Sequence, residues 1–332
     1  MRRFLAAGAV TLAATLSMAG SASATPAYNL RVEAPGATVD PGTYYAVRDP
    51  IGAQRGETPT SGNCVRGAGD ITVGGRTALG MAASAANASA ALRPLLIVED
   101  SFGKRICRID GFNETDTPFT GWLFRVNHVA PTMSAELVPI QTTDQILWVF
   151  ANFGTGANTG DELVLTGPFR SVPGAVQVSV SAVTFDGVTK PAPDGTIVTG
   201  GSAPITTVGG VATVPVNAST ALRAVGPGAA PTEIPSNELP LCVGATLEEC
   251  PAVPGKRIVG TNLRDKFKGG GGPDRIRTRG GKDKVRVIGG SADRVDCGSG
   301  KDVLIADAED RFKHCEKVRG TGTPGKKGKA KR

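Results

Sequence analysis

Residues 260–305 read GTNLRDKFKGGGGPDRIRTRGGKDKVRVIGGSADRVDCGSGKDVLI, a stretch with a period that no helix or single strand produces. Asp265, Asp274, Asp283, Asp293 and Asp302 follow one another at intervals of nine, nine, ten and nine residues, and an apolar residue stands two places after each: Phe267, Ile276, Val285, Val295 and Leu304. Glycines gather on the amino side of each aspartate, as in GGGGPDRIR (269–277), TRGGKDKVR (278–286) and CGSGKDVLI (297–305). A unit made of a tight turn and a three-residue strand cannot bury its one apolar side chain alone, whereas stacked units bury a continuous stripe.

This pattern resembles the glycine- and aspartate-rich repeat of RTX (haemolysin-type) proteins, a parallel β-roll that binds Ca²⁺. The resemblance implies an ion between the aspartate of one repeat and that of the repeat two further on: Asp265 with Asp283, Asp283 with Asp302, and Asp274 with Asp293. Turn carbonyls and these carboxylates would supply the six to eight oxygens that Ca²⁺ takes. The match is imperfect. Leu263 and Ser291 replace glycines, Val287 is an insertion, and Ile288 opens the fourth unit. Arg264, Lys282 and Lys301 directly precede aspartates; each opposes a divalent ion by roughly 1 kcal/mol in water. Weak calcium sites are expected. The charged segment Asp307–Val318 is expected to cap the stack, since repeat arrays need a polar end.

The rest of the 332-residue chain points to several β-rich modules: 45 glycines and 23 prolines break it into short runs rich in valine and threonine, with no long amphipathic heptads. Met1-Arg2-Arg3, the apolar run Phe4–Met18 and Ala22-Ser23-Ala24 have the layout of a secretory signal peptide over residues 1–24. No later segment approaches the ~20 apolar residues that span a membrane, so no transmembrane segment is expected after signal cleavage. The protein is expected to be secreted and associated with the cell surface. In an oxidising compartment six cysteines predict disulfides, and sequence neighbourhood pairs Cys64 with Cys107, Cys242 with Cys250, and Cys297 with Cys315.

Charge divides the chain. Up to Pro254 there are 15 basic and 20 acidic residues, net −5, and from Gly255 onward 22 basic and 10 acidic, net +12. With no aromatic stacking platform, an exported basic module of this kind points to an anionic cell-wall polymer or polysaccharide and not to nucleic acid.

Residues 25–168 carry a second resemblance. An alanine-rich helix capped by Thr77, the strand Gly121-Trp122-Leu123-Phe124-Arg125-Val126-Asn127 and the later Asp144-Gln145-Ile146-Leu147-Trp148 resemble the carboxyl-terminal α+β domain of transcobalamin-type proteins, which helps to enclose cobalamin. Thr143 and His128 stand where that family has glycine, so the turns differ and cobalamin binding is not carried over with the fold but kept as a rival reading; Trp122 and Trp148 read as core. Residues 169–250, with alternating Val176, Val178 and Val180 and turns at Asp186-Gly187, Asp194-Gly195 and Gly209-Gly210, resemble an Ig-like or carboxypeptidase-regulatory-like β-sandwich. Repeats with their cap occupy 255–319, and the lysine-rich 320–332 is expected to be a disordered tail. No G-x-S-x-G elbow accompanies the two histidines, and Gly298–Lys301 departs from a phosphate loop at Val295 and Asp302. The sequence therefore reads as a multidomain, mainly β, non-enzymatic calcium-binding adhesion or binding protein. The alternatives are a corrinoid or other small-ligand carrier and a purely structural envelope protein.

Overall fold

The structure is a computed structural model, and it describes residues 25–58, 63–101, 103–116, 118–228, 231–321 and 323–324. The expected signal peptide lies outside the described residues, as do 322 and 325–332 of the expected tail. The described chain is mainly β, with one α-helix, Ala78–Ala88. No helix among the described residues is long and apolar enough to cross a membrane.

In the first unit the strand Gln145–Asn152 lies between Ala27–Ala34, which it pairs in parallel, and Thr120–Val126, which it pairs antiparallel. A central strand is covered on both faces, which is why Ile146 to Ala151 is apolar without alternation. A second sheet contains Ile51–Glu57, Val65–Val73 and the hairpin Leu95–Asp100 with Gly103–Ile109. The helix packs into the same core as both sheets. Its alanines let its backbone approach closely, and Thr77 caps it by accepting the Gly80 amide at 3.0 Å. Trp148 is buried and donates its indole N–H to the Ala78 carbonyl (3.3 Å), and Trp122 packs against Phe150. Asn127 and His128 hold the left-handed backbone (φ 51° and 72°) that glycine would otherwise supply after this strand.

The second core lies between two sheets. One contains Glu162–Thr166, Gly174–Val183, Thr189–Pro191 and Val211–Val216; the other contains Arg170–Ser171, Leu239–Val243, Thr220–Val225, Ile197–Thr199 and Ile205–Thr206. Val176, Val178 and Val180, with Val214 of the same sheet, point inward toward Val198 and Leu222 of the other. Glu162–Thr166 pairs with Gly174–Val183, so this core begins before Pro168 and earlier than composition suggested. The change of composition marks where strands become valine-rich, not where the sheet changes.

The aspartate-rich stretch winds between two parallel sheets. Arg257–Val259, Arg275–Arg277, Arg294–Asp296, Arg311–Lys313 and Thr323–Pro324 stack in one; Lys266–Lys268, Lys284–Val287, Val303–Ala306 and Lys317–Gly320 stack in the other. Phe267, Ile276, Val285, Val295 and Leu304 share one core with Ile258 and Phe312. The segment expected to cap the stack instead continues it, because Phe312 and Val318 repeat the apolar position and their strands pair in register with the preceding rungs. At the other end the stack is seeded by the first unit: Arg257–Val259 pairs in parallel with Ala37–Ala46 (Ile258 opposite Tyr44), making one nine-stranded sheet. Thr25 covers the second edge, its amide donating to the Lys266 carbonyl (2.8 Å) and its Oγ1 accepting the Lys266 amide (3.0 Å). Disulfides join Cys64 to Cys107, Cys242 to Cys250 and Cys297 to Cys315.

Candidate metal centre

Each aspartate of the repeat stands at the end of a turn, one residue before its strand, and its side chain is buried. The reason is visible in the hydrogen bonds. Along one edge of the roll the Asp265 amide donates to Asp283 Oδ1 (2.8 Å), the Asp283 amide to Asp302 Oδ1 (2.7 Å), and the Asp302 amide to Glu316 Oε2 (2.8 Å). Along the other edge the Asp274 amide donates to Asp293 Oδ1 (2.7 Å) and the Asp293 amide to Asp310 Oδ1 (2.9 Å). Each carboxylate thus satisfies a backbone donor that the turn leaves without a sheet partner. Asp265 with Asp283, Asp283 with Asp302, and Asp274 with Asp293 are therefore neighbours. Asp310 and Glu316 extend the two columns and were missed by the period, although the acid-x-apolar signature (Asp310–Phe312, Glu316–Val318) marks both.

The second carboxylate oxygens separate the sites. Asp265 is engaged from both sides: Thr261 donates its amide to Oδ2 (2.7 Å), and the Arg48 guanidinium of the first unit reaches Oδ1 at 2.6 Å. Asp274 accepts the Lys256 amide on Oδ1 (2.7 Å) and the Gly270 amide on Oδ2 (2.6 Å). Asp310 accepts the Asp307 amide on its Oδ2 (2.9 Å). Asp283 Oδ2 and Asp302 Oδ2 are different, since both are buried with no hydrogen-bond partner among the described residues. Thr278, near Asp283, spends its hydroxyl proton on the Cys297 carbonyl (2.6 Å).

The turns above these two aspartates lie against each other, Gly280 opposite Ser299 and Gly281 opposite Gly300. The approach is so close that a Cβ on Gly300, at φ 148°, would fall 1.6 Å from the Gly281 carbonyl oxygen. Lys282 and Lys301 are exposed, so their charges are hydrated and screened. Among the described residues no three His, Cys, Asp or Glu side chains converge on a point. An ion here would take two carboxylates and draw its remaining oxygens from turn carbonyls and water, a donor set suited to a hard cation.

Burial and unlike partners tune the carboxyls in opposite directions. Burial raises Asp283 to about 6, with the charges of Asp265 and Asp302 adding to the shift. Burial likewise raises Asp293 to about 7, helped by Asp274, Asp310 and Asp307. Asp296 is held below the usual carboxylate range against its burial, by His314 and then Lys313.

No family model, no curated protein and no solved structure matches this chain.

Proposed function

We propose that the protein is a secreted, non-enzymatic binding protein whose carboxyl-terminal roll is fastened by Ca²⁺ at Asp283 and Asp302. The observation that carries the reading is the pair of buried carboxylate oxygens, on adjacent rungs of one edge, left without a donor. A buried carboxylate oxygen with no partner costs free energy, and a divalent cation between two of them removes that cost. Arg48 does for Asp265 what the ion would do for the others, and the paired amides do it for Asp274, so neither is part of the proposed site. The three disulfides fit an exported chain. The first unit is read as a transcobalamin-terminal-like α+β domain and the second as an Ig-like sandwich, both presenting the roll at a cell surface.

Calorimetric titration with CaCl₂ at pH 7.5 tests the site. The wild-type protein is expected to show saturable binding, Asp302→Asn and Asp283→Asn to weaken it at least tenfold, and Asp274→Asn to leave it within twofold. No binding heat at millimolar Ca²⁺, or equal loss in all three variants, contradicts the assignment.

A further inference from the structure

The two outer faces of the roll are not equivalent. On one sheet the strands begin with Arg257, Arg275, Arg294 and Arg311, and the parallel register places each arginine directly opposite the next. All four are exposed, and among the described residues none has a carboxylate within ion-pair distance. On the opposite sheet the corresponding basic columns are interrupted by Val303 and Ile305. Like charges stacked opposite one another in a sheet repel and give the fold nothing in return. The row is uninterrupted over four rungs, and neighbouring rungs of a sheet lie ~4.8 Å apart. It borders a groove of about 460 Å³ that runs across the four strands. The third position of those strands carries Arg277, Asp296 and Lys313, and there Asp296 is already paired with Lys313 (3.1 Å) and with His314 Nδ1 (2.9 Å). Among the described residues Arg277 stands exposed and unpaired at one rung of the third position, so the one continuous line of unpaired positive charge on this face is the first-position row.

We propose that this arginine row binds a linear anionic polysaccharide, laid along the roll axis so that successive carboxylates or sulfates meet successive guanidinium forks. Arginine presents a planar pair of donors that matches such groups bidentately, whereas lysine offers only a point charge. A glycan chain bearing one acidic group per sugar repeats on the length scale of the rungs. Duplex DNA does not, carrying one charge per ~1.7 Å of axis. The outward positions of the four strands hold no aromatic side chain on which single-stranded bases would stack. The inference rests on the proposed role as a binding protein and names the partner class, but it does not require the ion.

The test uses the full chain in buffer with chelator, and again with Ca²⁺, against size-fractionated linear polyuronate, its neutral methyl ester, and a single-stranded oligonucleotide of similar charge. The wild type is expected to bind polyuronate in both buffers with an affinity that falls steeply as salt rises, and to ignore the ester. Replacing Arg257, Arg275, Arg294 and Arg311 by glutamine is expected to cost at least tenfold and to flatten the salt dependence. Replacing Lys268, Arg286 and Arg319 on the opposite face is expected to change affinity less than twofold. If the fourfold variant does not fold, Arg275→Gln/Arg294→Gln carries the same comparison. Equal loss from both faces, retention in the ladder variant, tighter binding of the oligonucleotide than of polyuronate, or no binding overturns the proposal. Polyuronate binding in chelator combined with no calcium heat would sink the calcium site and leave this one standing.

Discussion

Metal-free protein is expected to lose stability as the pH is raised from 5 to 8, the reverse of the usual behaviour of a carboxylate-rich surface. Asp283 and Asp293 titrate near 6 and 7 in the folded chain, above the ordinary aspartate value, because burial disfavours their charged forms. Below about pH 3 both are protonated whether the chain is folded or not. Between there and 7 the folded chain holds protons that the unfolded chain has released, so the unfolding free energy falls as pH rises. The loss is complete only above the folded values. Between pH 5 and 8 Asp283 contributes about one unit and Asp293 about two, which at 1.36 kcal/mol per unit is a fall of at most about 4 kcal/mol, reduced by whatever solvent screening reaches the two groups. Asp302 and Asp310 are also raised, burial first among the causes, and add to it in the same direction. Ca²⁺ should flatten the profile, restoring ~2.7 kcal/mol at pH 8 when present at a hundred times its dissociation constant. Guanidinium unfolding at pH 5, 6, 7 and 8, with chelator and with Ca²⁺, measures this. A chelator profile that rises over the window shows the aspartates to be ionised and satisfied without an ion.

The second large effect lies at the junction of the first two units. Arg31 is buried and bonds Glu162 Oε1 at 2.6 Å; His128 Nδ1 lies 3.0 Å from the same oxygen, and Arg125 stands 4.0 Å from Oε2. Glu33, also buried, is held by Arg223 and lies 3.6 Å from Arg31. Removing one partner leaves an uncompensated charge among buried side chains. Arg31→Ala is expected to cost about 3–5 kcal/mol, whereas Arg31→Met/Glu162→Leu, which removes both charges and keeps the volume, should cost less. Glu162 itself is held below the usual range: burial pushes it up, but the His128 hydrogen bond and the charge of Arg31 outweigh that. Its contribution is present above the unfolded value and is lost only as the pH falls below it, outside the window of the aspartate effect. A cost under 1 kcal/mol for Arg31→Ala in urea unfolding would mean that the network is hydrated and structurally incidental.

How much of this was readable in the sequence follows the range of the interactions. The stripe from Phe267 to Leu304 and its aspartates announced themselves because a stacked repeat turns tertiary contact into a local period. The period failed where the intervals shrink to eight and six, at Asp310 and Glu316, and a segment that continues the roll read as a cap. The helix start at Thr77 was legible for the same local reason, as a cap. The Arg48–Asp265 pair spans 217 positions and the Arg31–Glu162 pair 131, and neither leaves any trace in spacing. Nor does composition reveal that the first rung of the roll pairs with Ala37–Ala46, since any open parallel edge would serve. The arginine row was present in the sequence as R-I-R (275–277) and its relatives. It gained meaning only once the register set each arginine above the last.

The most direct measurement is an anomalous difference map from crystals of the full chain grown in CaCl₂. A peak is expected between Asp283 and Asp302, about 2.3–2.6 Å from Oδ2 of each and ringed by turn carbonyls. No peak is expected beside Asp265, where Arg48 already stands. An empty Asp283–Asp302 gap, or density only at Asp274 and Asp293, would contradict the proposed calcium site.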